Sequence, residues 1–193
     1  MNNWETAILL WVNRHNTPFL DQCMTWLSSP YIFIPLYLVL VGLLCRKFGW
    51  RKALLFTIVI VLAIAACDLI SFRLLKPLVM RLRPTHDPSV ATLLHVVNNY
   101  RGGLYGFPSS HAANTACAAL LFGLLYNRRS ALMWTLLALW TVLVCYSRIY
   151  LGVHYPTDIL GGLTLAAGVA ALAYWPLRRY SSDDGTEAQA ACP

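Results

Sequence analysis

The chain has 193 residues, of which 58% are hydrophobic and only 12% are charged. A soluble globular domain carries about 25% charged residues, so this composition excludes an ordinary soluble protein and indicates an integral membrane protein. The net charge is +7. The basic residues cluster at the ends of apolar segments and form no stripe interleaved with exposed aromatic residues, which argues against nucleic-acid binding.

The first 29 residues alternate apolar and polar positions with a helix-like period. This pattern predicts one or two amphipathic helices on the membrane surface, with Trp4, Trp11 and Trp26 at the level of the headgroups. A further membrane crossing formed by residues 4–28 is the alternative. It would bury five polar side chains, which are Asn13, Arg14, His15, Asn16 and Asp21.

Five apolar segments follow, and each can cross about 30 Å of hydrocarbon, some with help from flanking residues. They are residues 30–45, 53–75, 111–126, 131–147 and 159–176. The predicted fold is all-α, a polytopic membrane helical bundle with about five transmembrane helices and an N-terminal interfacial helix. The sequence contains no internal repeat or linker, so residues 1–180 are expected to form one domain. Residues 181–193 are small and polar, and we expect a disordered cytoplasmic tail.

The orientation in the membrane follows from three basic clusters, each at the end of an apolar segment. They are Arg46, Lys47, Arg51 and Lys52; Arg128 and Arg129; and Arg178 and Arg179. Loops rich in lysine and arginine remain on the cytoplasmic side, so the loops after the first, third and fifth segments are predicted to be cytoplasmic. The other two loops and residues 1–29 are then predicted to lie on the outer side.

Those outer loops are also basic, although the positive-inside rule disfavours this. They contain Lys76, Arg81, Arg83, Arg101 and Arg148, with His86, His95, His111 and His154, and few acids. Side chains that extend to the headgroups would explain one or two of these cations. A group of this size, accompanied by histidines at helix ends, indicates a bound anion.

Two short segments suggest how the anion is held. In KPLVMRLRP, residues 76–84, a helix that continued through the segment would put Lys76 and Arg83 on one face and Arg81 off it. In PSSH, residues 108–111, a proline and a serine precede an apolar run, which predicts a helix start with Ser109 as the N-cap. Free backbone N–H groups at such a start bind anions.

A third segment, SRIYLGVHYPTD, covers residues 147–158. Arg148 closes the fourth apolar segment, and a short loop then carries His154. Pro156 fits the first turn of the next helix. Asp158 falls in that same turn, four residues after His154, and is close enough to hold one nitrogen of its ring.

Together, the K-x6-RP, PSSH and SR-x5-H-x3-D segments resemble the three-part signature of the type 2 phosphatidic acid phosphatase (PAP2) superfamily. The resemblance covers residues 76–158 and extends to the arrangement of apolar segments around them. One position departs from the pattern, because Ser110 stands where the family usually has glycine. Its backbone N–H remains available, but the room and the freedom at positive φ that a glycine provides are lost.

The resemblance implies a role for each matching residue. Lys76, Arg83 and Arg148 would bind the phosphate, and Ser109 and the amide of Ser110 would complete the phosphate site. His154 would be the nucleophile that forms a phosphohistidine, with Asp158 orienting its ring. His111 would protonate the leaving group and then activate water. The family uses no metal or other cofactor.

The function expected from the resemblance is a metal-independent phosphatase of lipid phosphates at the periplasmic face of a bacterial inner membrane. The long segment between the first two motifs and the small size favour an envelope lipid such as lipid A phosphate. Undecaprenyl diphosphate and phosphatidylglycerophosphate are the alternatives. A lipid-phosphate binding or transport protein without catalysis is the alternative of another class, although binding would need only the basic residues. No nucleic acid and no obligatory protein partner are expected.

For three further polar residues the sequence supports only general expectations. Asp68 lies inside the second apolar segment, where we expect it to pair with a nearby basic residue such as Arg73. His86 and His95 lie in the loop after the first motif. They are interpreted equally as loop polar groups or as substrate contacts, and neither belongs to the predicted catalytic set.

Overall fold

The computed structural model describes residues 3–179, and this part of the chain is almost entirely helical. The α-helices are α1 Asn3–Arg14, α2 Pro18–Leu27, α3 Ile34–Leu69, α4 Lys76–Val79, α5 Ser110–Tyr126, α6 Ala131–Tyr150 and α7 Pro156–Leu177. A π-helical turn, Ile70–Leu75, joins α3 to α4. Residues 3–179 contain no β-strand, only an isolated antiparallel bridge between Leu82 and Tyr105. The predicted tail, residues 181–193, lies outside the described residues.

The N-terminal region forms two short helices instead of one long one. Thr17 caps α2 through the backbone N–H of Leu20, and Pro18 occupies its first turn. A helix of 12 residues, the length of α1, spans only about 18 Å, so no continuous crossing over residues 4–28 forms. Trp4, Trp11 and Trp26 are about half exposed or more, as expected for helices that lie on the membrane surface.

The long helix α3 folds back on itself at Gly49, where φ is 75° and ψ is 161°. This conformation is not helical and suits glycine. The rings of Phe48 and Phe56, on either side of the bend, are 5.1 Å apart. Further from the bend, Tyr37 on one arm and Ile64 on the other line the same cavity. The bend lies inside the first basic cluster, between the two apolar segments that the sequence predicts there.

Three helices in the described part of the chain are long and apolar enough to cross a membrane: Pro30–Val79, which contains both arms, Ala131–Tyr150 and Pro156–Leu177. Many of their large apolar side chains are exposed, as expected for surfaces that face lipid. The 17-residue helix α5 packs against α3, α6 and α7. The exact number of crossings stays a prediction, because α5 is short and Pro30–Val79 is bent.

Small residues bring α5 and α7 close together. Ala112 and Ala113 of α5 are fully buried. A Cβ added at Gly162 of α7 would lie 2.5 Å from the backbone oxygen of Ser109. Only glycine therefore fits at this position, and close backbone approach of this kind is typical of membrane helix pairs. The contact fixes the start of α5 against the start of α7, where two of the three motifs lie.

The helix that leads into the first motif ends earlier than the sequence suggests. Met80 adopts the left-handed conformation (φ 49°) and caps α4, and Arg83 lies in extended backbone. The prediction that Lys76 and Arg83 share a helix face is therefore wrong. The backbone of this loop instead pairs with the segment before α5: Arg83 N donates to Leu104 O at 3.0 Å, and Gly106 N donates to Arg81 O at 2.8 Å.

Candidate active site

The second motif forms the start of α5, as predicted. The Ser109 hydroxyl accepts a hydrogen bond from Ala112 N at 3.4 Å and caps the helix. The Ser109 N–H donates to the backbone oxygen of Asp158 at 2.9 Å, which ties the second motif to the third. Ser110 is the first helical residue and has no positive φ. A serine is therefore tolerated at this position without backbone strain.

The third motif places His154 and Asp158 together. His154 Nδ1 lies 3.4 Å from Asp158 Oδ2, and both side chains are buried. Asp158 Oδ2 also accepts from Tyr155 N at 3.0 Å, and Pro156 begins α7. The carboxylate thus faces Nδ1 of the imidazole, and the opposite nitrogen, Nε2, points away from it. The predicted contact across four residues is confirmed.

Two arginines beside this pair are buried without a carboxylate partner in the described part of the chain. Arg83 is 7% exposed and Arg148 is 1% exposed. Arg83 Nε donates to Tyr105 O at 3.1 Å, whereas its Nη1 has no partner. Arg148 donates to Ser28 Oγ and to Tyr100 OH, but its Nε has no partner. Buried charges are ordinarily paired, so these free donors indicate a site for an anion.

The third cation of the site, Lys76, is also buried. Its Nζ donates to Ser110 Oγ at 3.2 Å, and the same oxygen is 2.8 Å from Ser71 Oγ. At the position where the family usually has glycine, the Ser110 hydroxyl therefore contacts Lys76, the lysine of the first motif. We call Lys76, Arg83 and Arg148 the phosphate clamp, after the role that the resemblance of their motifs implies for them.

These three cations act together on His154. Burial of the ring lowers the pKa of His154 well below its usual range, and the nearby charges of Arg83, Arg148 and Lys76 lower it further. The imidazole is therefore neutral at neutral pH. A neutral imidazole with Nδ1 facing a carboxylate can present an unprotonated Nε2 to an electrophile.

His111 lies one residue after Ser110, at the edge of a cavity of about 260 Å³. Ser28 and Asp68 line the same cavity. A second cavity, on the side of Tyr100, also contains His111 in its wall. No ion pair to His111 occurs among residues 3–179, so its surroundings differ from those of His154. His111 thus lies where a substrate can reach it.

The helical projection of the sequence predicts that Arg81 faces away from the site, and this prediction is wrong. Its Nη1 donates to Asp158 Oδ1 at 3.0 Å, and its Nη2 donates to Glu5 Oε1 at 2.7 Å. The helical projection failed because α4 ends at Val79, and the extended backbone that follows turns the side chain of residue 81 inward. Arg81 is therefore a neighbour of the Asp158 carboxylate.

The expected pairing of Asp68 with Arg73 is absent from residues 3–179. Asp68 Oδ1 instead accepts from Asn114 Nδ2 at 3.5 Å. His95 Nε2 lies 2.8 Å from Asp21 Oδ2, and His86 Nε2 lies 3.4 Å from Gly102 O. Neither histidine contacts a motif residue through its ring, which favours their interpretation as loop polar groups.

Sequence reasoning missed four residues that contact the motifs. Ser28 and Tyr100 bind Arg148, Ser71 binds Ser110, and Glu5 binds Arg81. Each of these contacts joins residues that are 39 or more positions apart, and local periodicity carries no information at such separations.

Comparison with known proteins identifies the family. The PAP2 superfamily model matches residues 53–181. The chain belongs to the PAP2 superfamily. It is 36% identical over 163 residues to the lipid A 4'-phosphatase of Bacteroides thetaiotaomicron, a match that covers 84% of this chain and 72% of that protein.

Two solved structures share the fold. LpxE of Aquifex aeolicus aligns with a TM-score of 0.63 and 26% identity, over 86% of this chain and 92% of that chain. The PAP2-type phosphatidylglycerolphosphate phosphatase of Bacillus subtilis aligns with a TM-score of 0.64 and 26% identity, over 88% of this chain and 82% of that chain. The predictions of an all-helical membrane protein and of a lipid phosphatase are confirmed.

Proposed function

We propose that this protein removes phosphate from an envelope lipid such as lipid A phosphate, at the periplasmic face of a bacterial inner membrane. The observation that carries the proposal is the phosphate clamp. Two buried arginines retain unpaired donors beside a neutral, carboxylate-held histidine. A phosphate group would satisfy those donors and place its phosphorus atom next to that histidine.

A second observation supports a lipid as the carrier of the phosphate. The cavity at His111 shares Tyr37 and Ile64 with an apolar groove. This groove lies between the two arms of α3 and reaches Phe122 of α5. An acyl chain could follow it while the phosphate lies at the clamp. The similarity to the lipid A 4'-phosphatase makes lipid A phosphate the first substrate to test.

The chemistry proceeds in two steps. His154 Nε2 attacks phosphorus, a P–N bond forms, and the P–O bond to the lipid breaks, with the leaving oxygen taking its proton from His111. His111 then removes a proton from water, whose oxygen attacks the phosphohistidine and restores free His154. Asp158 stabilises the positive charge on the ring in both steps. The clamp supplies the charge stabilisation that a metal would otherwise provide, so we expect activity in EDTA.

The decisive experiment is a phosphate-release assay with purified protein in detergent and EDTA. Lipid A phosphate, undecaprenyl diphosphate and phosphatidylglycerophosphate serve as substrates, and His154→Ala is the matched control. We expect release from lipid A phosphate that His154→Ala abolishes. Preference for phosphatidylglycerophosphate would favour the function of the Bacillus subtilis neighbour. Binding of all three lipids without phosphate release would mean that the protein only binds or transports them.

The orientation requires a separate test. Reporter fusions after residues 48 and 128 should report the cytoplasm, and fusions near residues 90 and 152 should report the periplasm. A cytoplasmic signal at residue 90 would contradict the proposed location of the site.

A further inference from the structure

Arg81 lies in the loop between α4 and the second motif, and its guanidinium contacts two carboxylates. Nη2 donates to Glu5 Oε1 at 2.7 Å, and Nη1 donates to Asp158 Oδ1 at 3.0 Å. Nη1 also donates to Thr157 Oγ1, and that hydroxyl donates to Glu5 Oε2 at 2.5 Å. We call these four residues, Glu5, Arg81, Thr157 and Asp158, the Arg81 brace.

The face of the Arg81 guanidinium is also in contact with a neighbour, in addition to the carboxylates at its edge. It lies 4.3 Å from the centre of the Tyr155 ring, in cation–π contact. The Tyr155 hydroxyl in turn donates to Asp87 Oδ2 at 3.0 Å, so the ring cannot rotate freely. With its donors directed at carboxylates and its face covered, Arg81 is not oriented to bind the phosphate of a substrate.

The two oxygens of Asp158 have different partners. Oδ1 accepts from Arg81, whereas Oδ2 accepts from Tyr155 N and faces His154 Nδ1. Three atoms around a planar carboxylate therefore determine its orientation, and this orientation determines the direction from which Oδ2 meets the imidazole. Because Asp158 is fully buried, the charge of Arg81 also compensates a carboxylate that has little contact with water.

Glu5 connects this arrangement to the N-terminal helix α1. It is 6% exposed, although α1 is predicted to lie at the membrane surface. Burial would raise the pKa of Glu5, but hydrogen bonds from Thr157 and Arg81 bring that pKa below its usual range. Without Glu5, the Arg81 guanidinium would be free to turn so that both of its nitrogens face Asp158. This turn would draw the carboxylate away from His154.

We propose that Arg81 and Glu5 are positioning residues that hold the Asp158 carboxylate in the orientation in which it faces Nδ1 of His154. Helix α1 then contributes to the active site through Glu5. The inference rests on the proposed function, because it assumes that His154 is the nucleophile. It assigns to the N-terminal helix a role in the rate of phosphoryl transfer rather than in substrate binding.

The test compares kcat and KM for p-nitrophenyl phosphate across purified full-length variants. Because the nitrophenolate leaving group needs no proton, formation of the phosphohistidine does not require His111, and Asp158 stabilises the charged ring in both of the steps that set kcat. We expect Arg81→Gln to lower kcat about 100-fold and Glu5→Gln about tenfold, with KM within about twofold of wild type because the phosphate clamp is intact. Arg81→Lys should recover part of the loss, since it keeps the charge but reaches only one carboxylate.

The chain offers a matched control in a second contact between the N-terminal region and the loops. Asp21 of α2 binds His95, at 2.8 Å, and also accepts from the Tyr150 hydroxyl at 2.7 Å. Asp21→Asn removes a carboxylate from a similar anchor that contacts neither the phosphate clamp nor His154 and Asp158. If the Arg81 brace had only a structural role, Asp21→Asn and Glu5→Gln would have the same effect on kcat. A positioning role predicts that only Glu5→Gln lowers kcat at equal thermal stability in detergent.

The double variant Glu5→Gln/Arg81→Gln adds a further criterion. If Glu5 acts through Arg81, the double variant should lose no more than about twofold beyond Arg81→Gln alone, because residues that act as a unit are not additive. Multiplied losses would overturn the inference. So would an increase in KM at constant kcat, which would make Arg81 a substrate ligand.

Failure of the proposed function has a different signature. A wild-type protein that neither releases nitrophenolate nor forms a phosphohistidine would overturn the function and this inference with it. An active wild-type protein with an unaffected Glu5→Gln variant would overturn the inference alone.

Discussion

Arg81 and Arg83 are two residues apart in one loop, yet their surroundings are opposite. Arg83 is buried, and one of its terminal nitrogens has no partner. Arg81 is partly exposed and contacts two carboxylates. The phosphate clamp therefore carries positive charge without acids, whereas the Arg81 brace contains one cation and two acids.

This difference shows that the acids around an arginine decide what it can bind. Burial and the charge of Arg148 lower the pKa of Arg83, which indicates that its charge is poorly compensated inside the protein. In the proposed function, an incoming phosphate would relieve that imbalance and gain charge-assisted hydrogen bonds. The charge of Arg81 is already neutralised, so an anion gains little from it. The two regions meet at His154 and Asp158, and the predictions below test their separate roles.

The largest effect is expected at the point where the regions meet. His154→Ala should lower kcat by about 10⁴-fold or more, because it removes the proposed nucleophile. His111→Ala should slow turnover of lipid substrates strongly but spare phosphoenzyme formation with p-nitrophenyl phosphate. The measurement is labelling with ³²P substrate quenched in alkaline detergent, which should give a base-stable, acid-labile adduct at residue 154. A label on Ser109 or His111 would contradict the assignment.

The second prediction separates clamp from brace directly. Arg83→Lys and Arg148→Lys keep the charge but lose the planar fork, so kcat/KM should fall about tenfold or more. Inhibition by inorganic phosphate should weaken in the same two variants, because the product occupies the same donors. Arg81→Lys should leave phosphate inhibition unchanged even though kcat falls. Arg101→Lys, in an exposed part of the neighbouring loop, is the control and should change neither quantity.

These contrasts also show what the sequence could and could not predict. The contact of His154 with Asp158 and the helix cap at Ser109 depend on residues three or four positions apart, and such contacts follow from helix geometry. The orientation of Arg81 depends on Met80 adopting a left-handed conformation, which methionine rarely does. The partner of Arg81 in α1 lies 76 positions away, and no local pattern indicates it.

The Ser110 position gives a smaller effect. Ser110→Ala should lower kcat/KM only about threefold, because the backbone N–H at the start of α5 remains and only the hydroxyl contacts to Lys76 and Ser71 are lost. Ser109→Ala removes a helix cap worth about 1 kcal/mol and should cost more in both activity and thermal stability. Steady-state kinetics and thermal unfolding of both variants in detergent are the measurements. The reverse order would mean that the Ser110 hydroxyl itself binds phosphate.

The smallest effect concerns the dependence of stability on pH, and its sign follows from the clamp. The buried ring of His154, surrounded by the cations of the clamp, has a pKa well below its usual range. As pH falls below the usual value of about 6.5, the unfolded chain binds a proton at residue 154 that the folded protein does not bind. The free energy of unfolding therefore decreases as pH is lowered from 7 to 5, and His154→Asn should lose less stability over this interval than the wild type. His15→Asn removes an exposed histidine at the end of α1 and should follow the wild-type curve. Thermal unfolding at several pH values is the measurement. If the stability of the wild type and of His154→Asn changed equally with pH, the negative charge of Asp158 would offset the effect of the clamp cations on the pKa of His154. The phosphate clamp and the Arg81 brace would then not be electrostatically separate.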